Sequence, residues 1–359
     1  MKFEIYSFFA GLGFLDLGFE KTGFEIAFVN EFDKVFLESY KFARKRNKKV
    51  EPKYGYCNED ITKLLDDKVW QKFISSNKPK QDTITGFIGG PPCPDFSFAG
   101  KNHGVNGNNG ILTDIYKQLI LKRQPDFFVL ENVKGLYKTK KHREYYEQLK
   151  SDLGKKYTLF DSVENALEYG VPQFRERLVL IGFKKSKFGN AEKFVLGKHK
   201  RYDLENINSL IWPTKDDFKN NSIKKEPKGI IKELSVEHWF NKNSVDRHIN
   251  AKDCFNVKNM IRYTTIKEGD VSRKSFKRLH RWRFAPTSAY GHNEVHLHPY
   301  KLRRLSVAEA LAIQSLPKTF TLPLEVSLSA KFKMVGNGVP FLLAQGIAKD
   351  IHEFLEKYE

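Results

Sequence analysis

The sequence is poor in cysteine and has no long apolar run. Its three cysteines, Cys57, Cys93 and Cys254, lie far apart and form no CxxC pair. We therefore expect no metal site and no disulfide framework, but reduced thiols in a cytoplasmic protein. The absence of about 18 consecutive apolar residues excludes a membrane span. The N-terminal stretch MKFEIYSFFAGLG reaches glycine too early for a signal peptide, and it is typical of a first buried strand.

Acidic residues are outnumbered by basic ones. The chain has 62 lysines and arginines against 43 aspartates and glutamates, a net charge of +19 at pH 7. An excess of this size indicates a polyanionic partner such as nucleic acid. Stretches such as RKRNKK and KTKKHR also fit a lysine-rich chain that places its charge on solvated faces. Charge alone therefore leaves both interpretations open.

The first 183 residues alternate short apolar runs with segments of helical periodicity. The predicted strands are 3–9, 25–30, 83–90, 126–132 and 177–183, and the predicted helices are 15–22, 33–45, 63–75 and 112–123. This alternation predicts an open, mostly parallel α/β sheet. In such sheets ligands bind beyond the carboxyl ends of the strands.

The composition changes over residues 184–298, which are rich in lysine and asparagine and have weak periodicity. We interpret this segment as an inserted, smaller domain. Its last part interleaves basic and aromatic residues, a pattern that suits contact with phosphates and bases. An ordinary β-rich domain with a basic face is the alternative. Beyond it, Ser306 and Glu309 predict a capping box at a helix start, and 341–357 predicts a closing amphipathic helix.

Two acidic residues follow successive strands near a glycine turn. The segment FFAGLGFLDLGFE leaves the first strand and opens a helix, and its Gly11 and Gly13 allow close approach of a ligand to the backbone. Glu31 ends the next strand, where an acid can hold ribose hydroxyls. Asp60 offers a second carboxylate that can accept from an adenine amino group. Each acid alone could be a helix cap, but together they favour an adenosine-containing cofactor.

A thiol, a carboxylate and two guanidinium groups occur at further strand ends. Cys93 lies between prolines in GGPPCPDFSFAGK, although a lone cysteine is commonly an inert buried residue. Glu131 ends a buried strand, where burial can raise the pKa of a carboxyl. Arg175 and Arg177 precede another strand at positions i and i+2, so we expect them on one face. A shared polar site is the better interpretation of the set.

The ordered motifs closely resemble the cytosine-C5 DNA methyltransferase family, of the bacterial restriction-modification or orphan type. They are FFAGLGFLDLGFE, VNEFD, NEDIT, GGPPCPDFSFAGK, GILTDI, ENV, YGVPQFRER, RRLSVAEALAIQSLP and VGNGVP. The match covers about residues 1–183 and 299–359, which the resemblance assigns to a catalytic domain. Residues 184–298 fall where the family carries its target recognition domain. The implied fold is an α/β, Rossmann-like mixed sheet that binds S-adenosylmethionine, with a smaller inserted recognition domain.

The resemblance implies a covalent mechanism on a cytosine flipped out of duplex DNA. Cys93 would add to C6 and Glu131 would hold the N3 and N4 edge of the base. Arg177 would support the reacting base electrostatically, with Arg175 nearer the DNA backbone. C5 would then take the methyl group of S-adenosylmethionine, leaving S-adenosylhomocysteine as the product.

Further residues are implied by the same motifs. The cofactor pocket would comprise Phe9, Gly11, Gly13, Glu31, Phe32, Asp60, Ile61, Pro92, Leu112 and Asn337. The motifs also imply contacts to DNA from Ser97 and Gln173. Within 184–298, composition and position alone lead us to expect DNA contacts from Arg278, Arg281, Arg283 and Tyr290. The expected partner is double-stranded DNA, and no contact with a membrane is expected. The protein is expected to be a monomer in the cytoplasm that acts at the nucleoid. A cognate restriction endonuclease would act separately.

The sequence departs from the family pattern at four places. Pro94 follows Cys93 where the family usually has glutamine, and Phe14 replaces the common second glycine of the first motif. IQSLP stands where LQGFP is typical, and Gly338 stands where serine or alanine is usual. None of these changes removes a chemical group that the mechanism needs. An active enzyme is therefore expected.

Three other functions remain as alternatives. The tRNA cytosine-C5 methyltransferases share this scaffold, but their late cysteine- and threonine-containing signature is missing here. A catalytically silent DNA-binding module would not need the intact set of Cys93, Glu131, Arg175 and Arg177. A dehydrogenase would need the full G-x-G-x-x-G fingerprint, which the chain lacks.

Overall fold

The computed structural model describes residues 2–74, 82–92, 108–138, 140–256, 259–288, 290 and 294–358. It contains one seven-stranded sheet in the order β3-β2-β1-β4-β5-β7-β6. The strands are β1 (Lys2–Phe8), β2 (Glu25–Asn30), β3 (Tyr56–Cys57), β4 (Thr83–Gly89), β5 (Phe127–Val133), β6 (Tyr157–Asn165) and β7 (Glu176–Lys184). Strands β1 to β5 pair in parallel, whereas β7 runs antiparallel to both β5 and β6. The predicted α/β class with a mixed sheet is confirmed.

Twelve α-helices occur within the described residues. They are α1 (Phe14–Glu20), α2 (Lys34–Arg46), α3 (Asp67–Ile74), α4 (Asn108–Arg123), α5 (Gly135–Lys138), α6 (Lys140–Gly154), α7 (Lys185–Phe188), α8 (Leu204–Ser209), α9 (Val236–Lys242), α10 (Val307–Ile313), α11 (Leu328–Asn337) and α12 (Phe341–Glu356). Short 3-10 helices span Ile61–Leu65, Ala166–Tyr169, Lys232–Leu234, Val245–Arg247 and Met260–Tyr263. The capping box predicted at Ser306 and Glu309 is present at the start of α10. None of the helices in the described ranges is long and apolar enough to cross a membrane.

Both faces of the sheet are buried, as expected for parallel strands covered by helices. Successive residues of a strand point to opposite faces, so Phe127 packs with α1 and α12 on one side. Its neighbour Phe128 packs with α4 and α6 on the other side. The near-continuous apolar runs that predicted the strands follow from this two-sided burial.

Residues 184–298 contain few regular elements, and their apolar side chains share a core with the later helices. Trp239 and Phe240 of α9 pack in one cluster with Leu311 of α10 and Phe332 of α11. That cluster joins residues on both sides of position 299. The division at this position into recognition and catalytic domains stays a prediction.

Two arginines predicted to contact DNA are buried in the described structure. Arg278 is fully buried and donates to the carbonyl oxygens of Ile266, Tyr263 and His298 at 2.7–2.8 Å. Arg281 is also buried and pairs with Glu268. Carbonyls and a carboxylate of the same chain therefore bind both guanidiniums, and their contact with DNA stays a prediction.

Candidate active site

The polar residues predicted for the cofactor gather at the carboxyl ends of the parallel strands. Gly11 and Gly13 follow β1, Glu31 follows β2, Asp60 follows β3 and Pro92 follows β4. Both glycines have positive φ angles of 55° and 76°, which other residues rarely adopt. Parallel pairing brings these strand ends to one edge of the sheet.

Glu31 is fixed by the backbone of the neighbouring turn. One carboxylate oxygen accepts from the amide of Gly11 and the other from the amide of Asp33, each at 2.8 Å. Burial raises the pKa of this carboxyl above its ordinary value, and the two amide hydrogen bonds offset part of that rise. Each oxygen keeps a lone pair, so the carboxylate can also accept from ligand hydroxyls.

The space beside Glu31 fits a ligand with a flat ring and hydroxyl groups. A Cβ built on Gly11 would meet no atom of the described residues within 4 Å, so this part of the structure leaves space beside the turn. The Phe32 ring is 68% exposed, although a large apolar ring is usually covered. Asp60 caps the following 3-10 helix with one oxygen, which accepts from the amide of Thr62 at 2.8 Å. The donor set and the exposed ring suit the adenosine part of a cofactor.

The remaining predicted cofactor residues border the same edge. Phe9 has a positive φ of 53° and its ring meets Tyr116 edge-on, with 5.9 Å between the ring centres. Ile61 is buried at the start of its 3-10 helix, and Leu112 is partly buried on α4. Asn337 is exposed at the end of α11.

Glu131 and Arg177 form an ion pair on neighbouring strands. Glu131 lies opposite Val179 in the antiparallel pairing of β5 and β7, so Arg177 is its diagonal neighbour on the same face. The guanidinium Nε lies 2.9 Å from a Glu131 carboxylate oxygen. Burial raises the pKa of the Glu131 carboxyl, and the positive charges of Arg177 and Arg175 offset part of this rise. The site thus holds a carboxyl that accepts a proton more readily than an exposed one.

The chain that leads to Cys93 passes directly over this ion pair. A Cβ built on Gly90 would lie 2.7 Å from the second carboxylate oxygen of Glu131, so only glycine leaves room for the carboxylate there. Cys93 follows three positions later and lies outside the described residues, as does Ser97. The described part of the site therefore contains the carboxylate and the guanidinium, next to the segment that carries the thiol.

Arg175 and Arg177 make different contacts, although their spacing of two residues predicts that both side chains lie on the same face of the strand. Its guanidinium is buried and donates to the carbonyl oxygens of Ser288, Gly336 and Gly338 at 2.8–3.1 Å. Arg175 precedes β7, so the alternation of the strand does not extend to it. These contacts tie the segment before β7 to the end of α11 and to residue 288.

The other predicted DNA contacts differ in exposure. Gln173 is fully buried and donates to the Ser288 hydroxyl at 3.3 Å. Tyr290 is 3% exposed, with its ring edge-on to Phe332. Arg283 is partly exposed and donates only weakly, at 3.4 Å, to the Pro213 carbonyl. Of these three in the described structure, Arg283 has the side chain most accessible to a partner.

Two asparagines that the sequence did not single out shape the cofactor edge. The Asn30 amide donates to the carbonyl oxygens of Cys57 and Glu59, which joins the ends of β2 and β3. The Asn58 amide donates to the carbonyls of Glu31 and Phe32 at 2.8 and 2.9 Å. The sequence signal that could have identified them is a polar residue just after an apolar run, since buried loop carbonyls need hydrogen-bond donors.

The comparisons with known proteins agree with this arrangement. The family described as C-5 cytosine-specific DNA methylase matches residues 3–353. The type II methyltransferase M.NmeDI of Neisseria meningitidis serogroup C is 51% identical, over 99% of this chain and 85% of that protein. M.FnuDI of Fusobacterium nucleatum, also a type II methyltransferase, is 33% identical, over 99% of this chain and 96% of its own length.

Solved structures share the fold at low sequence identity. A chain encoded by an Escherichia coli prophage has a TM-score of 0.67 at 23% identity, covering 99% of this chain and all of its own. A DNMT2 mutant of Spodoptera frugiperda has a TM-score of 0.59 at 16% identity, with coverages of 99% and 100%. The family match over nearly the whole length and the relatives at 51% and 33% identity show that the chain belongs to the C-5 cytosine-specific DNA methylases.

Proposed function

We propose that this DNA cytosine methyltransferase acts on a short specific sequence of duplex DNA, with Cys93 as nucleophile and Glu131 and Arg177 at the base. The observation that carries the proposal is the buried ion pair of Glu131 and Arg177 beside Gly90. A carboxylate at such a place is costly to bury unless it has a chemical use or a partner. Gly90, which borders this carboxylate, follows the neighbouring strand β4 and comes three residues before Cys93 in the sequence.

The cofactor we propose is S-adenosylmethionine, which when bound supplies the methyl group for C5. Glu31 would accept hydrogen bonds from its ribose hydroxyls, and Asp60 would accept from the adenine amino group. The exposed ring of Phe32 would cover one face of the adenine. The Gly11 turn and Asn337 would border the methionine part, and Phe9, Gly13, Ile61, Pro92 and Leu112 would complete the pocket.

The protein's own groups would carry the reaction on the flipped cytosine. The Cys93 thiolate forms a bond to C6, and the ring electrons then make C5 nucleophilic. Glu131, with its raised pKa, donates a hydrogen bond or proton at N3 and so offsets the charge that builds on the ring. Arg177 holds the carboxyl in place. After methylation, loss of the C5 proton to a base restores the double bond and breaks the bond between sulfur and C6.

Arg175 takes a different part in this proposal from the one its motif implies. Its three hydrogen bonds to described residues all go to backbone carbonyls, so it would support the site from behind instead of contacting the base. Residues 184–298 would supply target recognition, and Arg283 is their first candidate for DNA contact. Ser97, in the segment that follows Cys93, is a second candidate. The enzyme would work as a monomer in the cytoplasm on nucleoid DNA, with any cognate restriction endonuclease acting separately.

Methylation of duplex DNA by the purified protein tests this proposal. We expect bisulfite mapping to show C5 methylation at one short motif, dependent on S-adenosylmethionine, and no transfer to tRNA. The Cys93→Ala variant should lose transfer by a factor of at least about 10³, since the covalent step is removed. Glu131→Gln should lose about 10²-fold or more, as for a group that stabilises developing charge.

Cys254→Ser is the matched control, since it removes a partly buried thiol outside the proposed site. It should transfer methyl groups at the rate of the unmodified protein. Full activity in Cys93→Ala would contradict the mechanism. Methylation of tRNA in place of DNA would overturn the substrate.

A further inference from the structure

The turn that carries Asn337 is fixed from behind by buried hydrogen bonds. Arg175 donates to the carbonyl oxygens of Gly336 and Gly338, on either side of Asn337, at 2.8 and 3.1 Å. The Gln314 amide donates to the carbonyl of Val335 at 3.0 Å. The backbone carbonyls of residues 335, 336 and 338 are thus held by hydrogen bonds, which restrict movement of the turn when another group presses on it.

At Gly338, the same turn packs against the aromatic ring of Phe14. A Cβ built on Gly338 would overlap the Phe14 ring, with its Cε2 at 2.6 Å and its Cγ at 3.0 Å. Gly338 has φ −64° and ψ 147°, a conformation that any residue adopts. Glycine is therefore required here by space alone and not by backbone strain.

Phe14 has little freedom to give way. It is 2% exposed, and its ring meets that of Phe320 edge-on with 5.3 Å between the centres. It opens α1 directly after Gly13, so its backbone continues from the glycine turn. Helix α1 is also held on its other side, because a Cβ on Gly18 would lie 2.6 Å from the Cβ of Ala344 in α12.

We propose that Phe14 and Gly338 are a matched pair in which Phe14 is a positioning residue that sets the distance between the Gly11–Gly13 turn and Asn337. The inference rests on the proposed function, which places both segments in the cofactor pocket. A larger residue at 338 would push Phe14, and with it the start of α1, away from the Asn337 turn. The two departures from the family pattern at positions 14 and 338 thus compensate each other.

A double-mutant cycle on the full chain tests the pair. Gly338→Ala should weaken binding of S-adenosylhomocysteine about tenfold or more, as measured by calorimetry, because overpacking a closely packed contact displaces its neighbours. The KM for S-adenosylmethionine should rise by a similar factor while kcat changes less than threefold or so. Phe14→Ala/Gly338→Ala should bind at least about fivefold more tightly than Gly338→Ala, because the smaller side chain makes room for the added methyl group.

Gly346→Ala is the matched control, because a Cβ at this position of α12 would overlap the ring of Tyr169, in the 3-10 helix Ala166–Tyr169, instead of a residue at the proposed pocket. It should lower the Tm as Gly338→Ala does, yet leave cofactor affinity unchanged below the unfolding transition. Equal weakening in Gly346→Ala, unchanged affinity in Gly338→Ala, or no recovery in the double variant would each overturn the inference.

Failure of the proposed function gives a different result. In that case the unmodified protein itself would not bind S-adenosylhomocysteine. The Tm values of the unmodified protein, Phe14→Ala, Gly338→Ala and the double variant then decide whether Phe14 and Gly338 are coupled, since the contact exists with or without the ligand. Additive Tm changes would overturn the matched pair, and recovery of Tm in the double variant would support it.

Discussion

One buried acid beside the sheet and one in the segment 184–298 are held in different ways. In the sheet unit, Asp16 is buried against the hydroxyl groups of Ser7 and Tyr40, and burial raises its pKa to about 6. In the segment, burial also raises the pKa of Glu268, but hydrogen bonds and charge from Arg281 outweigh it and the net pKa lies below the ordinary value. Hydroxyl groups thus hold the first acid, and the charge of an arginine stabilises the second.

This difference follows from how much regular structure each part contains. Seven strands and the helices around them satisfy backbone groups with one another. The segment has short helices and isolated bridges, so arginine side chains satisfy its carbonyls instead. Loss of one such side chain should therefore affect the segment more than it affects the sheet.

The largest expected effect is on the pair of Arg281 and Glu268. Arg281→Met leaves the buried Glu268 without its bidentate partner, which costs about 3 kcal/mol or more in free energy of unfolding. Limited proteolysis should then cut within 184–298 first. The measurement is urea unfolding together with mass spectrometry of the fragments.

Arg281→Met/Glu268→Met is the matched control for this ion pair. Replacing both partners by apolar side chains removes the unpaired charge, so much of the lost stability should return. If Arg281→Met unfolded with the same urea midpoint as the unmodified protein, the role given to the pair would be contradicted.

A smaller effect is expected from the buried acid of the sheet unit. The pKa of Asp16 is about 6 in the folded protein against 3.8 for an ordinary aspartate. As the pH falls from neutral towards 5, the folded state takes up this proton before the unfolded state does, so the free energy of unfolding rises. Between neutral pH and about pH 5, the free energy of unfolding of the unmodified protein should rise by about 1 kcal/mol relative to that of Asp16→Asn.

Comparing the two proteins at each pH cancels the other titrating groups, which both share. Urea midpoints at several pH values provide the measurement. A difference between them that stays constant over this range would contradict the raised pKa of Asp16.

The smallest effect is expected at an exposed pair of the segment. Lys267 lies 3.2 Å from Asp217, and both side chains are more than half exposed. Lys267→Ala should change the free energy of unfolding by less than about 0.5 kcal/mol, as for other surface pairs. A loss above about 1 kcal/mol would show that the contrast between buried and exposed pairs in this segment is wrong.

The sequence predicted the strands inside the sheet and missed the two edge strands, β3 and β6. Phe127 and its neighbours form an apolar run because helices cover both sides of β5. Strand β6 is a partly exposed edge strand with polar residues such as Asp161 and Glu164, so its periodicity is weak. Strand β3 has only two residues and gives no pattern.

The site was predicted in part for a similar reason. Glu31 and Glu131 stand at strand ends, where position in the fold follows from the apolar run before them. Arg175 and Arg278 were assigned to DNA because a guanidinium binds phosphate well, yet it binds backbone carbonyls of its own chain equally. Composition cannot distinguish these partners, because the choice depends on which carbonyls the tertiary fold leaves unpaired.

The contact between Phe14 and Gly338 has a consequence for exchanging parts between related enzymes. The two residues lie near opposite ends of the chain, outside the segment 184–298. Replacing only that segment by the one of a related enzyme keeps both Phe14 and Gly338. A chimera with a single crossover between the two positions can instead combine Phe14 with a residue that has a side chain at position 338. Such chimeras would inherit a collision that neither parent contains, so their design should treat the two positions as one unit.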